Sequence, residues 1–196
     1  TAMIQKGLDE IEKRDLKIEV YIEPKMSGIT NGGYDLVLMS SDGFYDLGHY
    51  HVTASSKYVP CATFVTVSTE IDSELRNTGI GAVLYDVAIE VATKLGSHLA
   101  CDRGHVSRNA KRMWNYYAAS SDYEAFQLDT KDSTFTPQKD DDCIQYVFAR
   151  ALDINEEEIG RQHKEPFLRS PLTKAYRKKK ITTIPCLGNR YSETMV

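Results

Sequence analysis

A chain of 196 residues, 41% hydrophobic and 27% charged, has material for one domain with a sizeable core. No apolar run approaches the roughly 20 residues a membrane helix needs, and the first ten residues hold no apolar signal core, so a soluble cytoplasmic protein with no membrane contact is expected. The net charge of −4 is uneven: residues 161–196 carry nine Lys/Arg against Glu165 and Glu193, so an acidic body precedes a basic tail.

Thr1 and Ala2 stand ahead of Met3 and are set aside as foreign to the fold. A short helix is expected over residues 7–14. K-I-E-V-Y-I-E, residues 17–23, alternates apolar and polar side chains, as a half-buried strand does. The Gly/Ser/Asn cluster at 27–33 marks a loop, and Y-D-L-V-L-M-S at 34–40 reads as a second strand. Asp42-Gly43 signals a hairpin into a third strand over 44–52, and a long β-branched strand follows over 61–71. The period then changes. Ile80, Val83, Leu84, Val87, Ala88, Val91 and Leu95 form a helical stripe that Gly96 terminates. Residues 97–102 read as a short strand. Ser107 is the expected N-cap of a second helix with its stripe at Ala110, Met113, Trp114 and Tyr117. Two further strands are expected over 124–128 and 143–152, separated by an acidic loop. This order predicts a mixed α/β domain with a partly parallel sheet. It spans residues 3–152, followed by a basic C-terminal extension, 153–196, of which Ile181, Ile184, Leu187 and Tyr191 point to partial packing.

The four cysteines, Cys61, Cys101, Cys143 and Cys186, show no metal-binding spacing and read as buried reduced thiols, and the apolar runs around Cys61, Cys101 and Cys143 favour a packing role for those three. No metal site is expected; the H-Y-H of His49 and His51 has no evident third ligand.

Gly79 and Gly81, in R-N-T-G-I-G, stand at the mouth of the first long helix, where each glycine costs about 1 kcal/mol relative to alanine. Helix N-termini expose unpaired N–H groups, and glycines there let a phosphate approach the backbone, with Arg76 adding charge. A tight strand-to-helix corner without a ligand is the competing explanation. There is no G-K-S/T, so this is not a P-loop, and Leu84 stands where a dinucleotide fingerprint needs its third glycine.

The run I-D-S-E-L-R-N-T-G-I-G-A-V-L, residues 71–84, resembles motif A of the GNAT superfamily of N-acetyltransferases, R/Q-x-x-G-x-G/A, with Arg76, Gly79 and Gly81 in its defined places. The strand–helix–strand–helix–strand–strand order is similar as well. The resemblance implies a GNAT-like fold and an enzyme that transfers an acetyl group from acetyl-CoA directly to an amine in a ternary complex. It implies that the backbone of Arg76, Asn77, Thr78, Gly79, Ile80, Gly81 and Ala82 holds the pyrophosphate. Thr69, Glu70 and Ile71 would pair with the pantetheine arm in a gap between two splayed strands, with Ser107 and Asn109 also on the cofactor side. A backbone N–H near Thr69–Glu70 would stabilise the thioester oxygen.

The chain departs from the pattern at the acid and the base. In one register Trp114 stands in the place of the tyrosine that usually helps the thiolate leave; a second register offers Tyr116, with Tyr117 behind it. The places where relatives carry a base hold Val65 and Val67, and His51 or His49 is left to act through water. Only about ten residues separate Glu23 from Tyr34, too few for the two helices that often wall the acceptor site. An open site suits a protein or nucleic-acid amine as well as a small one, and could also be closed by a second subunit in a homodimer. The alternative is a non-catalytic module of the same fold that works through the basic run Y-R-K-K-K, residues 176–180, on nucleic acid or a protein.

Overall fold

The computed structural model describes residues 1–23, 32–54, 64–102, 105–127 and 170–196. The architecture is mixed α/β. An eight-stranded sheet runs in the order β6-β7-β5-β4-β3-β2-β1-β8, and among the described residues four helices accompany it.

Helix α1 (Ala2–Lys13) begins earlier than expected, because Ile4 extends the buried stripe of Gly7 and Ile11 by one turn. β1 (Leu16–Ile22) buries every second residue, as its alternation demands. β2 (Gly33–Ser40) and β3 (Asp46–Ala54) follow as an antiparallel meander. The hairpin between them turns at Gly43, whose φ of +79° suits glycine, and Asp42 Oδ1 accepts the Phe44 N–H at 3.1 Å. Phe44 and Tyr45, expected in the strand, lie in the turn and are exposed. β4 (Phe64–Ile71) completes the antiparallel set, with Val67 the unmatched residue of a bulge opposite His51 and Val52. Residues 61–63, which include Cys61, lie outside the described part of the expected strand.

Helix α2 (Ile80–Lys94) is buried almost all round, including Asp86 and Glu90. Its C-terminus is closed by Gly96 at φ +75°, with the Gly96 N–H on Thr93 O at 3.0 Å and the Ser97 N–H on Ala92 O at 2.9 Å. β5 is only Leu99–Ala100. Ser107 Oγ accepts the Ala110 N–H at 3.2 Å, and α3 (Arg108–Ala119) buries the four residues of its predicted stripe. β6 (Tyr123–Gln127) pairs with β7 (Lys174–Lys178). The strand expected over 143–152, its Cys143, and the 152/153 boundary lie outside the described residues.

The C-terminal segment is built into the sheet. β7 lies between β5 and β6, and β8 (Tyr191–Met195) runs parallel to β1 at the opposite edge. Between them stands the short helix α4 (Thr183–Leu187). The basic run is therefore not a free arm: Tyr176 is in the core, Arg177 Nε contacts Glu124 Oε2 at 2.5 Å, and Lys178 is buried. Lys178 Nζ lies 2.6 Å from Asp86 Oδ2 and 2.7 Å from Glu90 Oε1. Burial alone would lower the Lys178 pKa, but the Asp86 and Glu90 carboxylates outweigh it and raise it. Glu90 also accepts N–H groups of Thr182, Thr183 and Ile184 at 2.6–2.8 Å, which caps α4.

Candidate functional site

β4 and β5 pair in parallel at two positions only, Phe64↔Leu99 and Val65↔Ala100. Thr66 Oγ1 donates to Ala100 O at 3.1 Å and is the last link between them. β4 continues to Ile71 with no strand on that side among the described residues. The gap widens into a cleft of about 1440 Å³ that reaches the N-terminus of α2 and is walled by α1, α2, α3 and the β3–β4 pair.

Ten of the expected cofactor-side residues line this cleft: Thr69, Glu70, Ile71, Arg76, Asn77, Gly79, Gly81, Ala82, Ser107 and Asn109. Two do not. Thr78 turns its hydroxyl onto Leu75 O at 2.6 Å, and Ile80 is wholly buried in the core. At the helix mouth the Ala82 and Val83 N–H groups reach back to Gly79 O at 3.0 and 3.3 Å, while the Gly81 N–H has no partner among the described residues.

The two glycines have different reasons. Gly79 takes φ +94°, and a Cβ there would stand 2.8 Å from Gly7 N and Met3 O of α1. A Cβ on Gly7 would in turn lie 2.3 Å from Gly79 O. Close packing of α1 on α2 therefore gives Gly79 a structural reason of its own. Gly81 has no such constraint: an added Cβ would meet only the Ile71 Cδ1 methyl, at 3.1 Å. Among the described residues only this methyl, at the end of a flexible side chain, crowds position 81, which faces the cleft.

Lys6 and Tyr85 also line the cleft and were not legible in the sequence. Lys6 Nζ donates to Asn77 O at 3.1 Å, a contact between residues 71 apart that no local pattern announces. Tyr85 lies one turn beyond Gly81. Its ring stands edge-on to Tyr50 at 4.8 Å and to Trp114 at 5.9 Å between centroids. The hydroxyl is near Thr69, Cys101 and Asp102, in the gap between the diverging strands, and burial pushes its pKa up to about 12. Among the described residues no group meets hydrogen-bond geometry with the buried Thr69 Oγ1, though the Tyr85 hydroxyl lies beside it. An i, i+4 relation of Gly81 to Tyr85 on the first strong helix is the signal that could have found it.

The expected acid candidates are placed elsewhere. Tyr116 lines a second cavity of about 290 Å³ with Tyr123 and Lys178. Tyr117 is buried among Trp114, Tyr123 and Tyr176, its hydroxyl without a partner among the described residues. Neither reaches the cleft, because the helix face that carries Ala110 and Trp114 turns them toward β6 and β7. His51 is on β3, its Nδ1 hydrogen-bonded to Asp35 Oδ1. His49 lines the cleft, and its Nε2 lies 2.7 Å from Asp46 Oδ2. Cys101 is buried, in keeping with a packing role, and Cys186 is exposed. No group of three metal-ligating side chains occurs among the described residues, and no described helix is long and apolar enough to cross a membrane.

Comparison with known protein families, with curated proteins and with solved structures finds no match.

Proposed function

We propose that the chain is an acyl-CoA-dependent N-acyltransferase, with acetyl-CoA the expected donor and an amine the acceptor. The observation that carries this reading is that β4 leaves β5 after two rungs and the gap opens directly onto the glycine-bearing N-terminus of α2. A long flexible arm ending in a pyrophosphate fits such a cleft: the unpaired β4 edge offers backbone groups to the arm, and the helix mouth offers N–H groups and positive potential to the phosphates. Lys6 and Arg76 add charge at that end, and Gly81 leaves the approach open. The GNAT-like order of elements supports the same assignment.

The residues divide the work. A backbone N–H of the free β4 edge at 69–70 faces the thioester oxygen, where negative charge develops. Tyr85, protonated throughout the neutral range, hands its proton to the departing thiolate from inside the gap. Trp114 packs against it and fixes its ring.

Isothermal titration with acetyl-CoA and with CoA tests the reading. Binding is expected in the wild type and is lost in Gly81→Glu, which places a carboxylate where the pyrophosphate belongs. No binding of either ligand by the wild type would sink the proposal. The alternative, a module acting on nucleic acid or a protein through the basic run, would have to use Lys179 and Lys180, which are exposed, since Tyr176 and Lys178 are buried and Arg177 is ion-paired.

A further inference from the structure

Helix α1 brings to the cleft two long side chains that lie outside the glycine motif, Met3 and Lys6. A spacing of i, i+3 makes them neighbours on the helix surface, while Ile4, Gly7 and Ile11 are buried. Lys6 is exposed, and its own helix leaves its charge uncompensated. The acids one turn further on, Asp9 and Glu10, are where a helical lysine ordinarily finds its partner. Here Asp9 Oδ1 accepts from Gln5 Nε2 at 2.8 Å, and Glu10 holds Lys13 and Arg14 at 3.1 and 2.8 Å. Lys6 turns instead to a neutral acceptor, Asn77 O, at 3.1 Å, which uses one of its three N–H donors. Its position is fixed from below: Gly7, the next residue, lets the backbone of α1 touch that of Gly79 at the mouth of α2. The carboxylates that share the cleft stand on β3, at the end of β4 and just after it. Asp46 pairs with His49, Asp72 accepts the Glu74 N–H at 3.0 Å, and Glu70 lies across the ladder from His49. Met3 is 41% exposed, an apolar thioether side chain left open to the cleft and to solvent.

Resting on the acyl-transfer reading, we propose that α1 forms a subsite for the nucleoside end of the acyl donor, in which Lys6 pairs with the ribose 3′-phosphate and Met3 packs on the adenine ring. CoA carries two kinds of phosphate. The pyrophosphate belongs to the mouth of α2 and Arg76. The 3′-phosphate is a monoester with a second ionisation near pH 6, so it brings close to two further charges at neutral pH and calls for a cation of its own. Lys6 supplies that cation from a separate element, beside the 76–79 loop rather than within it, with two N–H donors still to give. Met3, one turn earlier on the same helix, offers a polarisable sulfur and a flexible apolar stem to the purine. The chain therefore distinguishes a CoA thioester from the same thioester lacking the 3′-phosphate, and does so with its N-terminal helix.

The test is isothermal titration with acetyl-CoA and with acetyl-dephospho-CoA, which keeps the pyrophosphate and the adenine but lacks the 3′-phosphate. The wild type is expected to bind acetyl-CoA about tenfold more tightly than the dephospho form at low salt. That ratio shrinks as salt is raised. Lys6→Gln is expected to abolish the preference: acetyl-CoA binds about tenfold more weakly, and the dephospho form stays within about twofold of its wild-type affinity. Lys6→Arg keeps the preference. Arg76→Gln weakens both ligands alike, because both carry the pyrophosphate, and Met3→Ala weakens both by a few-fold, because both carry the adenine. Equal affinity of the wild type for the two ligands overturns the inference and leaves the acyl-donor reading standing. Equal weakening of both ligands in Lys6→Gln also overturns it, since Lys6 would then only prop the Asn77 loop. Wild-type affinities in Met3→Ala overturn the adenine contact. Failure of both ligands to bind the wild type overturns the transfer reading itself, and the inference with it.

Discussion

Gly81 and Gly79 sit two residues apart and make opposite predictions. Alanine at position 79 must adopt φ +94° and push its Cβ into the backbone of α1, so Gly79→Ala is expected to lower stability by roughly 2–4 kcal/mol in urea denaturation. Alanine at position 81 meets only a movable methyl and gains helix propensity. Gly81→Ala is expected to raise stability by about 0.5–1 kcal/mol while weakening acetyl-CoA binding. A variant more stable and unchanged in affinity would show that the glycine at 81 does not serve the approach of a phosphate. At Tyr85, burial raises the pKa above that of an unfolded tyrosine, so the unfolded chain releases this proton first as the pH rises. Stability from this group is fully present below about pH 10 and declines by roughly 3 kcal/mol as the pH approaches 12. Tyr85→Phe should flatten that alkaline decline. It should also lower the acylation rate and leave acetyl-CoA affinity intact, measured by titration and thioester cleavage side by side.

Elements with a strong period of their own were legible. The alternation of β1 and β2, the stripe of α2 with its Gly96 stop, and the Ser107 cap with Ala110, Met113, Trp114 and Tyr117 on α3 all follow from local chemistry. The misses are those where a distant segment decides. β5 is two residues long because β4 diverges from it, which nothing in residues 97–102 encodes. The sequence of β7 reads as part of a basic tail, since the charges of Arg177, Lys178 and Lys179 mask a strand whose Lys178 is neutralised by acids 88 and 92 positions away. For the site, the glycine motif pointed to the cleft, but Tyr85 and Lys6 depend on contacts between elements. The buried Lys178 offers an element-scale test. Lys178→Met leaves Asp86 and Glu90 without their cation in the core, and is expected to cost about 3–5 kcal/mol of stability. A thermal melt unchanged within error would show that the two carboxylates are satisfied by Tyr123 and the α4 N–H groups alone.

At the scale of the molecule, the two sides of the cleft are held differently. β4 belongs to the antiparallel meander, whereas β5 is held by β7. Removal of residues 170–196 would take away β7 and β8 together and leave β5 and β6 without their shared neighbour. Loss of a cooperative urea transition is expected for such a truncation; a sharp transition of wild-type midpoint would refute this assignment of β7.

The pairing of β8 with β1 also has a temporal side. Ile18 and Tyr191 are neighbours in space but are joined through nearly the whole chain, and β5 likewise waits for Tyr176. Contacts of such long sequence separation are slow to form, because chain entropy must be surrendered before they return any energy. During synthesis the meander and α2 emerge first, with Asp86 and Glu90 already on the helix and their lysine not yet made. The nascent protein should therefore remain a partly ordered, protease-sensitive intermediate until its last strands arrive, and its window of vulnerability to aggregation should close only then.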